Sequence, residues 1–344
     1  MRILECVPNF SEGQNQEVID SISSAIRLVD GVKLLEVDPG YSANRTVMTF
    51  VGEPELVLEA AFQAIKTAAS LIDMRKHKGV HPRMGATDVC PLIPVEGISM
   101  EEVIAWSKEL GQRVGDELDI PVYLYEHSAS APYRKNLAAI RKGEYEGFRE
   151  KISSDKWKPD YGPTNFQARP GQTVIGARDF LIAYNINLDK KDKEVAHEIA
   201  CDIRESGRFV WENGQKVKGE DGKWKRLAGR CKGLKAIGWI IEEYDRAQVS
   251  MNIVDRKLAP LYKVWKACEE AASTYGVGLT GSELVGLIPL AVLLEAAGSI
   301  MIEKGIDKLS EKEKVQLVVK YLCLDELTPF QPEQKILEWV MANS

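Results

Sequence analysis

The run His77-Lys78-Gly79-Val80-His81-Pro82-Arg83-Met84-Gly85-Ala86-Thr87-Asp88 concentrates the ionisable chemistry of this chain, with two of its four histidines. Gly79 and Pro82 are poor continuations of a helix, so the run reads as a loop leading into a strand over 89–94. An imidazole in such a loop is placed by backbone, and its pKa suits proton transfer near neutrality. Three roles are open from these residues alone. His81 is a general acid–base, or His77 and His81 are a zinc pair, or both are structural loop histidines. The zinc role has the poorest geometry, because an i, i+4 pair binds best from one helix face and no HExxH glutamate is present. No metal is expected.

Two other patterns invite a ligand. Asp38-Pro39-Gly40 ends a strand-like segment and is followed by Arg45. A carboxylate there can accept from an amidine or amine, and the arginine offers a planar fork to a carboxylate. An ordinary turn with a solvated arginine satisfies the same spacing. Gly229-Arg230-Cys231-Lys232-Gly233-Leu234-Lys235-Ala236-Ile237-Gly238 is a glycine-spaced basic stretch entering a strand. It fits an anionic tail or an exposed basic turn. It is not a phosphate loop of the GxxxxGK[ST] kind, and no GxGxxG follows a strand, so a dinucleotide site is not expected.

The elements that must position these residues follow from periodicity. Strands are expected over 3–8, 32–37, 46–52, 89–94 and 122–125, and helices over 15–29, 53–72 and 100–118. In the second half, strands are expected over 180–187, 236–242 and 248–252, with helices over 191–206 and 260–275, and a helical tail over 310–340. ILECVPN resembles FLIAYNIN, NRTVMTFVG resembles RAQVSMNIVD, and VCPLIPV resembles VGLIPLA. The order strand–helix–strand–strand–helix–strand occurs twice, which is the split βαβ, ferredoxin-like pattern. An internal duplication is expected: an α/β (α+β) protein of two related subdomains, 1–178 and 179–344, each a mixed sheet with helices on one face. The Gly-rich stretch 275–281 stands where the histidine loop stands in the first half, and it has no histidine. If the halves descend from one unit, only the first kept a histidine in this loop. Residues 209–228 carry Asn-Gly and Asp-Gly pairs and read as inserted hairpin turns. Residues 153–178 read as an irregular, Gly- and Pro-rich linker suited to a binding loop.

Composition narrows the class. The chain has 344 residues, 44% hydrophobic and 28% charged, which fits two domains. No apolar run approaches the roughly 18–20 residues of a bilayer span. The start, MRILECVPNF, has no apolar core of a secretory signal, so no such signal is expected. Six scattered cysteines without a CxxC fit reduced thiols in the cytoplasm. A net charge of -6 argues against a dedicated nucleic-acid binder. Neither nucleic acid nor membrane is an expected partner.

Taken together, ECVPNFSEGQNQEVID (5–20), NRTV (44–47), LIDMRKHKGVHPRMGATDVCPLIPV (71–95), PVYLYE (121–126), FLIAYNINL (180–188) and GSELVGLIPL (281–290) resemble the formiminotransferase family over nearly the whole chain. The HKGxHPRMGAxDVCPxIP string is the specific part. The resemblance implies two α/β subdomains whose sheets face one another, a homodimer, and tetrahydrofolate, often polyglutamylated, as co-substrate. It implies transfer of a formimino group between N-formimidoyl-L-glutamate and tetrahydrofolate, giving 5-formimidoyltetrahydrofolate and L-glutamate. A formyl donor, a formimidoyl-glycine donor and a non-catalytic folate binder are the alternatives. His81, the histidine of HPRMG, takes the family's catalytic position, with Asp38 and Arg45 nearby. The folate-binding segments fall on Gly162, Pro163, Thr164, Asn165, Phe166, Gln167 and Gly171, and on Gly229, Arg230, Lys232, Lys235 and Gly238. In that scheme Arg45 or Arg83 pairs with substrate carboxylates, and Lys232 and Lys235 face the folate glutamate tail. The insertion at 209–228 departs from the family pattern, and so does the lack of a cyclodeaminase half, which would leave the product to a separate enzyme.

Overall fold

The computed structural model describes residues 2–343, which divide into two compact units, one ending at Phe180 and the other spanning Leu181–Asn343. The first unit runs β1 (Ile3–Cys6), β2 (Asn9–Phe10), α1 (Gln16–Arg27), β3 (Lys33–Gly40), β4 (Arg45–Gly52), α2 (Pro54–Leu71), β5 (Thr87–Glu96), α3 (Met100–Leu118), β6 (Val122–Leu124), α4 (Leu137–Arg141), α5 (Glu144–Ile152) and β7 (Thr173–Ala177). Its termini follow local chemistry. Asn15 caps α1 by accepting from the Glu17 and Val18 amides. Pro54 opens α2 at a position that needs no N–H, and Ser99 with Glu102 forms a capping box on α3. Ile19, Ile22 and Ile26 of α1 are buried at helical spacing, each stabilising by about 1.5–3 kcal/mol.

The sheet order is β3-β4-(β1, β2)-β5-β7-β6, with β1 and β2 forming one strand interrupted at Val7-Pro8. Pairings are antiparallel except β5–β7 and β7–β6, which are parallel. One face meets α1, α2 and α3 around Leu4, Cys6, Met48, Phe50, Cys90 and Leu92. On the other face, Val89, Tyr123 and Val174 pack with Ile140 of α4 and Phe148 and Ile152 of α5.

The second unit runs β8 (Ile182–Leu188), α6 (Lys193–Ile203), the short strands β9 (Arg208–Phe209), β10 (Trp211–Glu212), β11 (Gln215–Lys216) and β12 (Arg226–Leu227), then β13 (Leu234–Ile241), β14 (Arg246–Ile253), α7 (Leu261–Thr274), β15 (Leu279–Val285), α8 (Leu290–Lys304), α9 (Glu311–Tyr321), α10 (Pro332–Lys335) and α11 (Leu337–Asn343). Its main sheet, β13-β14-β8-β15, is antiparallel throughout. In both units the spatial order is second, third, first, fourth strand of the strand–helix–strand–strand–helix–strand unit. The split βαβ architecture is therefore present twice. Asn44 before β4 and Asp245 before β14 both take a left-handed φ, 47° and 50°, so even the third-strand entries match.

Several details differ from the periodicity. The first sheet is mixed, but the second is not, and the β5-β7-β6 edge of the first is covered on both faces. Asp38-Pro39-Gly40 is not a turn: it continues β3 against Val47, Thr46 and Arg45. β3 is an edge strand, where proline is tolerated. Residues 153–178 are not a linker, because β7 lies inside them and is inserted between β5 and β6. The fourth strand of the second unit is Leu279–Val285, not the VGLIPLA segment, so only 275–278 precede it as a loop. The hairpin reading of 209–228 is realised: Asn213 and Gly214 take positive φ between β10 and β11, and β9 pairs β12 beneath them.

Candidate active site

His81 lies in the loop joining α2 to β5, and that loop is tied down on both sides. Asn44 accepts from the Gly13 amide at 3.0 Å and donates to the Lys78 carbonyl at 2.7 Å. Gly79 must be glycine, since a Cβ there would stand 2.3 Å from the Ala43 carbonyl oxygen. Beyond the histidine, Ser11 Oγ donates to the Gly85 carbonyl at 2.7 Å and the Ala86 amide to Pro170 at 2.8 Å.

The two histidines have opposite tautomers. His77 is buried; its Nε2 donates to the Asn44 carbonyl at 2.8 Å and its Nδ1 accepts from Arg83 at 3.2 Å. His81 Nδ1 lies 2.8 Å from the Pro82 carbonyl. A carbonyl only accepts, so Nδ1 carries the proton and Nε2 keeps its lone pair. Arg45 Nη1 stands against the ring, 2.5 Å from that Nε2 and 2.9 Å from Nδ1. Burial first, then the charges of Arg45 and Arg141, hold the His81 pKa well below the usual imidazole value. Burial likewise lowers His77. His81 is thus a neutral base at neutral pH whose lone pair, on Nε2, faces the Arg45 guanidinium.

The surrounding charges come from four elements. Arg45 opens β4, and Asp38 on β3 shares its sheet face, pairing with Val47. Burial and the Arg141 charge draw the Arg45 pKa down to about 10, with Asp88 and Asp38 opposing. Arg141, the last residue of α4, donates to Asp88 Oδ2 at 2.5 Å, while Asp88 Oδ1 accepts the Met84 amide at 3.0 Å. Arg45 is therefore brought against His81, and Asp38 acts on Arg45 from the neighbouring strand. Arg83 is not available to a substrate: it is 8% exposed and bonded to Glu146, Glu144 and His77. The second guanidinium whose charge acts on His81 is Arg141. Nothing in LAAIRKG marks it, because its place depends on how α4 packs over β5.

Of the two expected folate segments, 162–171 lies against the histidine loop. Gly85 and Gly171 form a bridge, Tyr145 donates to the Ala168 carbonyl at 2.6 Å, and Phe166 packs on Tyr145 at 5.3 Å between centroids. The stretch Gly229–Gly238 is in the second unit. A Cβ at Gly238 would meet His197 N at 2.1 Å and one at Gly229 would meet the Arg204 carbonyl at 2.1 Å, so these glycines serve the close packing of α6. Arg230 is paired with Glu270 at 3.1 Å. Lys232 and Lys235 are exposed.

Comparison with known proteins fits this arrangement. Residues 3–178 match the formiminotransferase domain, N-terminal subdomain, and residues 183–342 match the formiminotransferase domain. The chain belongs to the formiminotransferase family. It is 49% identical over 343 residues to a formimidoyltransferase-cyclodeaminase of Rattus norvegicus, covering 100% of this chain and 60% of that protein. It is 44% identical over 296 residues to a glutamate formimidoyltransferase of Streptococcus pyogenes serotype M1, covering 86% of this chain and 92% of that one. A glutamate formimidoyltransferase of Thermoplasma acidophilum is 39% identical over 310 residues, covering 90% and 95%. The chain spans 60% of the length of the formimidoyltransferase-cyclodeaminases it matches. Among the described residues no helix is long and apolar enough to cross a membrane, and no cluster of three metal-ligating side chains occurs.

Proposed function

We propose that the protein transfers the formimino group between N-formimidoyl-L-glutamate and tetrahydrofolate, with His81 Nε2 as the atom that moves the proton. The observation that carries this is the tautomer: Nδ1–H is held by the Pro82 carbonyl and Nε2 is left as a neutral base beside Arg45. When folate N5 attacks the formimino carbon, one proton must leave N5 and one must reach the departing glutamate nitrogen. A single imidazole can do both. Asp38 faces the amidine and offsets its positive charge, and Arg45 pairs with a substrate carboxylate once drawn away from the imidazole. Segment 162–171, which lies against the histidine loop, holds the folate. The subdomains 1–178 and 179–344 then divide the work, the first keeping the base. The six free thiols fit the cytoplasm, and a homodimer is the expected assembly.

The test mixes the protein with tetrahydrofolate and N-formimidoyl-L-glutamate, N-formyl-glutamate or N-formimidoyl-glycine in turn, following the substituted folate optically. The glutamate formimino donor is expected to turn over fastest, and His81→Ala to lose ~10²–10⁴-fold in rate. Because the His81 pKa is lowered, the base is lost only as pH falls through a value below the ordinary ~6.5, so kcat/KM holds through pH 6.5. Full rate in His81→Ala with both substrates saturating removes the assignment. Folate binding without transfer from any donor shows a binding protein instead.

A further inference from the structure

Arg141 is a residue that the transfer chemistry outlined above does not use. Its side chain is 15% exposed and Asp88 takes one Nη, but its Nε is shielded from solvent and has no hydrogen-bond partner. A buried donor left unmade costs roughly 1–3 kcal/mol. Both charges that act on His81 are positive, Arg45 and Arg141. Each guanidinium is held near the imidazole from a separate element, β4 and α4.

The chemistry of the donor says what belongs there. The nitrogen that must receive the proton from His81 is bonded to the α-carbon of glutamate, and the α-carboxylate is bonded to that same carbon. If His81 reaches the departing nitrogen, the α-carboxylate lies within a few bond lengths of His81. The folate glutamate tail, by contrast, is far from N5. We propose that Arg141 and Arg45 together hold the donor's α-carboxylate beside His81, with Arg141 Nε as a principal donor. The inference rests on the formimino-transfer reading for its substrate. A bidentate guanidinium–carboxylate contact also fixes the donor's orientation, which a single point charge does not. The same anion places negative charge between His81 and the two cations, favouring the imidazolium that forms when Nε2 takes the proton. Asp38 on β3, Asp88 on β5 and the Pro82 carbonyl are the other groups that bear on this charge balance.

The test pairs a change in the protein with a change in the substrate. Wild type and Arg141→Gln are assayed with N-formimidoyl-L-glutamate and with N-formimidoyl-4-aminobutyrate, which lacks only the α-carboxylate. Wild type is expected to lose about 10- to 100-fold in kcat/KM on the truncated donor, and Arg141→Gln a similar factor on the glutamate donor. The two losses overlap: Arg141→Gln falls little further when the carboxylate is also removed. Equal losses for Arg141→Gln on both donors mean a structural role, and unchanged kcat/KM means none; either overturns the proposal. Arg141→Lys, which keeps the charge and loses the fork, carries the same comparison if the glutamine variant fails to fold by circular dichroism. If wild type transfers from neither donor, the reaction reading fails separately. Calorimetric affinity for L-glutamate over 4-aminobutyrate, lost in Arg141→Gln, then decides the carboxylate site by itself.

Discussion

His77 and His81 are four residues apart and do different work because their hydrogen bonds are reversed. The Nε2 of His77 is spent on the Asn44 carbonyl, and its Nδ1 receives Arg83, which is in turn held by Glu146 at 2.6 and 2.8 Å. That chain of contacts joins the turn before β4, the histidine loop and α5. His81 gives its Nδ1–H to the adjacent carbonyl and presents Nε2. Arg83→Gln is therefore expected to act on stability and not on substrate capture. Glu144 and Glu146 are half in solvent, so the loss is discounted to about 2 kcal/mol. Urea unfolding measures it. A donor KM that rises with this substitution, with stability unchanged, would return Arg83 to the substrate site. The residue types were legible in the sequence: HKGVHPRMG announced a loop with an acid–base group. Which histidine is structural was not, because tautomer is set by partners 33 and 6 residues away.

At the scale of elements, the strand pairing explains why an acid sits inside the first sheet. Glu5 of β1 pairs Val51 of β4 and Ile93 of β5, on the face that also carries Asp38 and Arg45. It is 1% exposed, and burial pushes its pKa up to about 7, against the pull of Arg178. The folded protein thus binds this proton more tightly than the unfolded chain does. Its contribution is intact below the unfolded value near 4.5 and is lost as pH rises through about 7, a swing of about 3 kcal/mol. Glu5→Gln is expected to raise the melting temperature at pH 8 and to change it little at pH 4.5. Thermal scans at the two pH values check the sign; an equal shift at both would mean Glu5 is not titrating. Most elements were legible from apolar period. β7 was missed because TVIGA is a five-residue apolar run at the end of a Gly- and Pro-rich segment, and a short strand buried on both faces has no alternation to read. Asp38-Pro39-Gly40, which spacing left open between a strand end and a turn, stays extended because an edge strand with a partner on one side tolerates proline.

For the molecule as a whole, the twice-used strand order shows how one pattern serves two ends. The first unit adds β6, β7, α4 and α5 to it, and α4 and α5 deliver Arg141 and the Arg83 partners to the histidine. The second unit adds the arm at 209–228, whose Trp211 and Trp224 are exposed and stack with Lys216 and Lys218 at 5.3 and 5.2 Å. The arm has few buried contacts, and Val210 and Lys225 are already paired at its base. Replacing residues 211–224 by Asn-Gly is expected to move the melting temperature by no more than about 3 °C. A fall of about 10 °C by calorimetry would show that the arm carries part of the fold.

The sequence alone determined the helices that cover the repeated strand unit, the strand order, the arm and the family's histidine loop, because each is written in local period, turn chemistry or contiguous motif; it set no bounds for α4, α5 or α8. Only the tertiary structure decided that Arg83 is spent on Glu144 and Glu146 while Arg141 bears on His81, that 153–178 supplies a strand, and that the glycines of 229–238 serve helix packing. Those outcomes depend on groups far apart in the chain meeting on folding, as Arg141 and Asp88 do across 53 residues. His81 could be recognised as an imidazole poised near neutrality; that it is neutral, and on which nitrogen, was fixed by burial, one carbonyl and two guanidinium groups brought to it by folding.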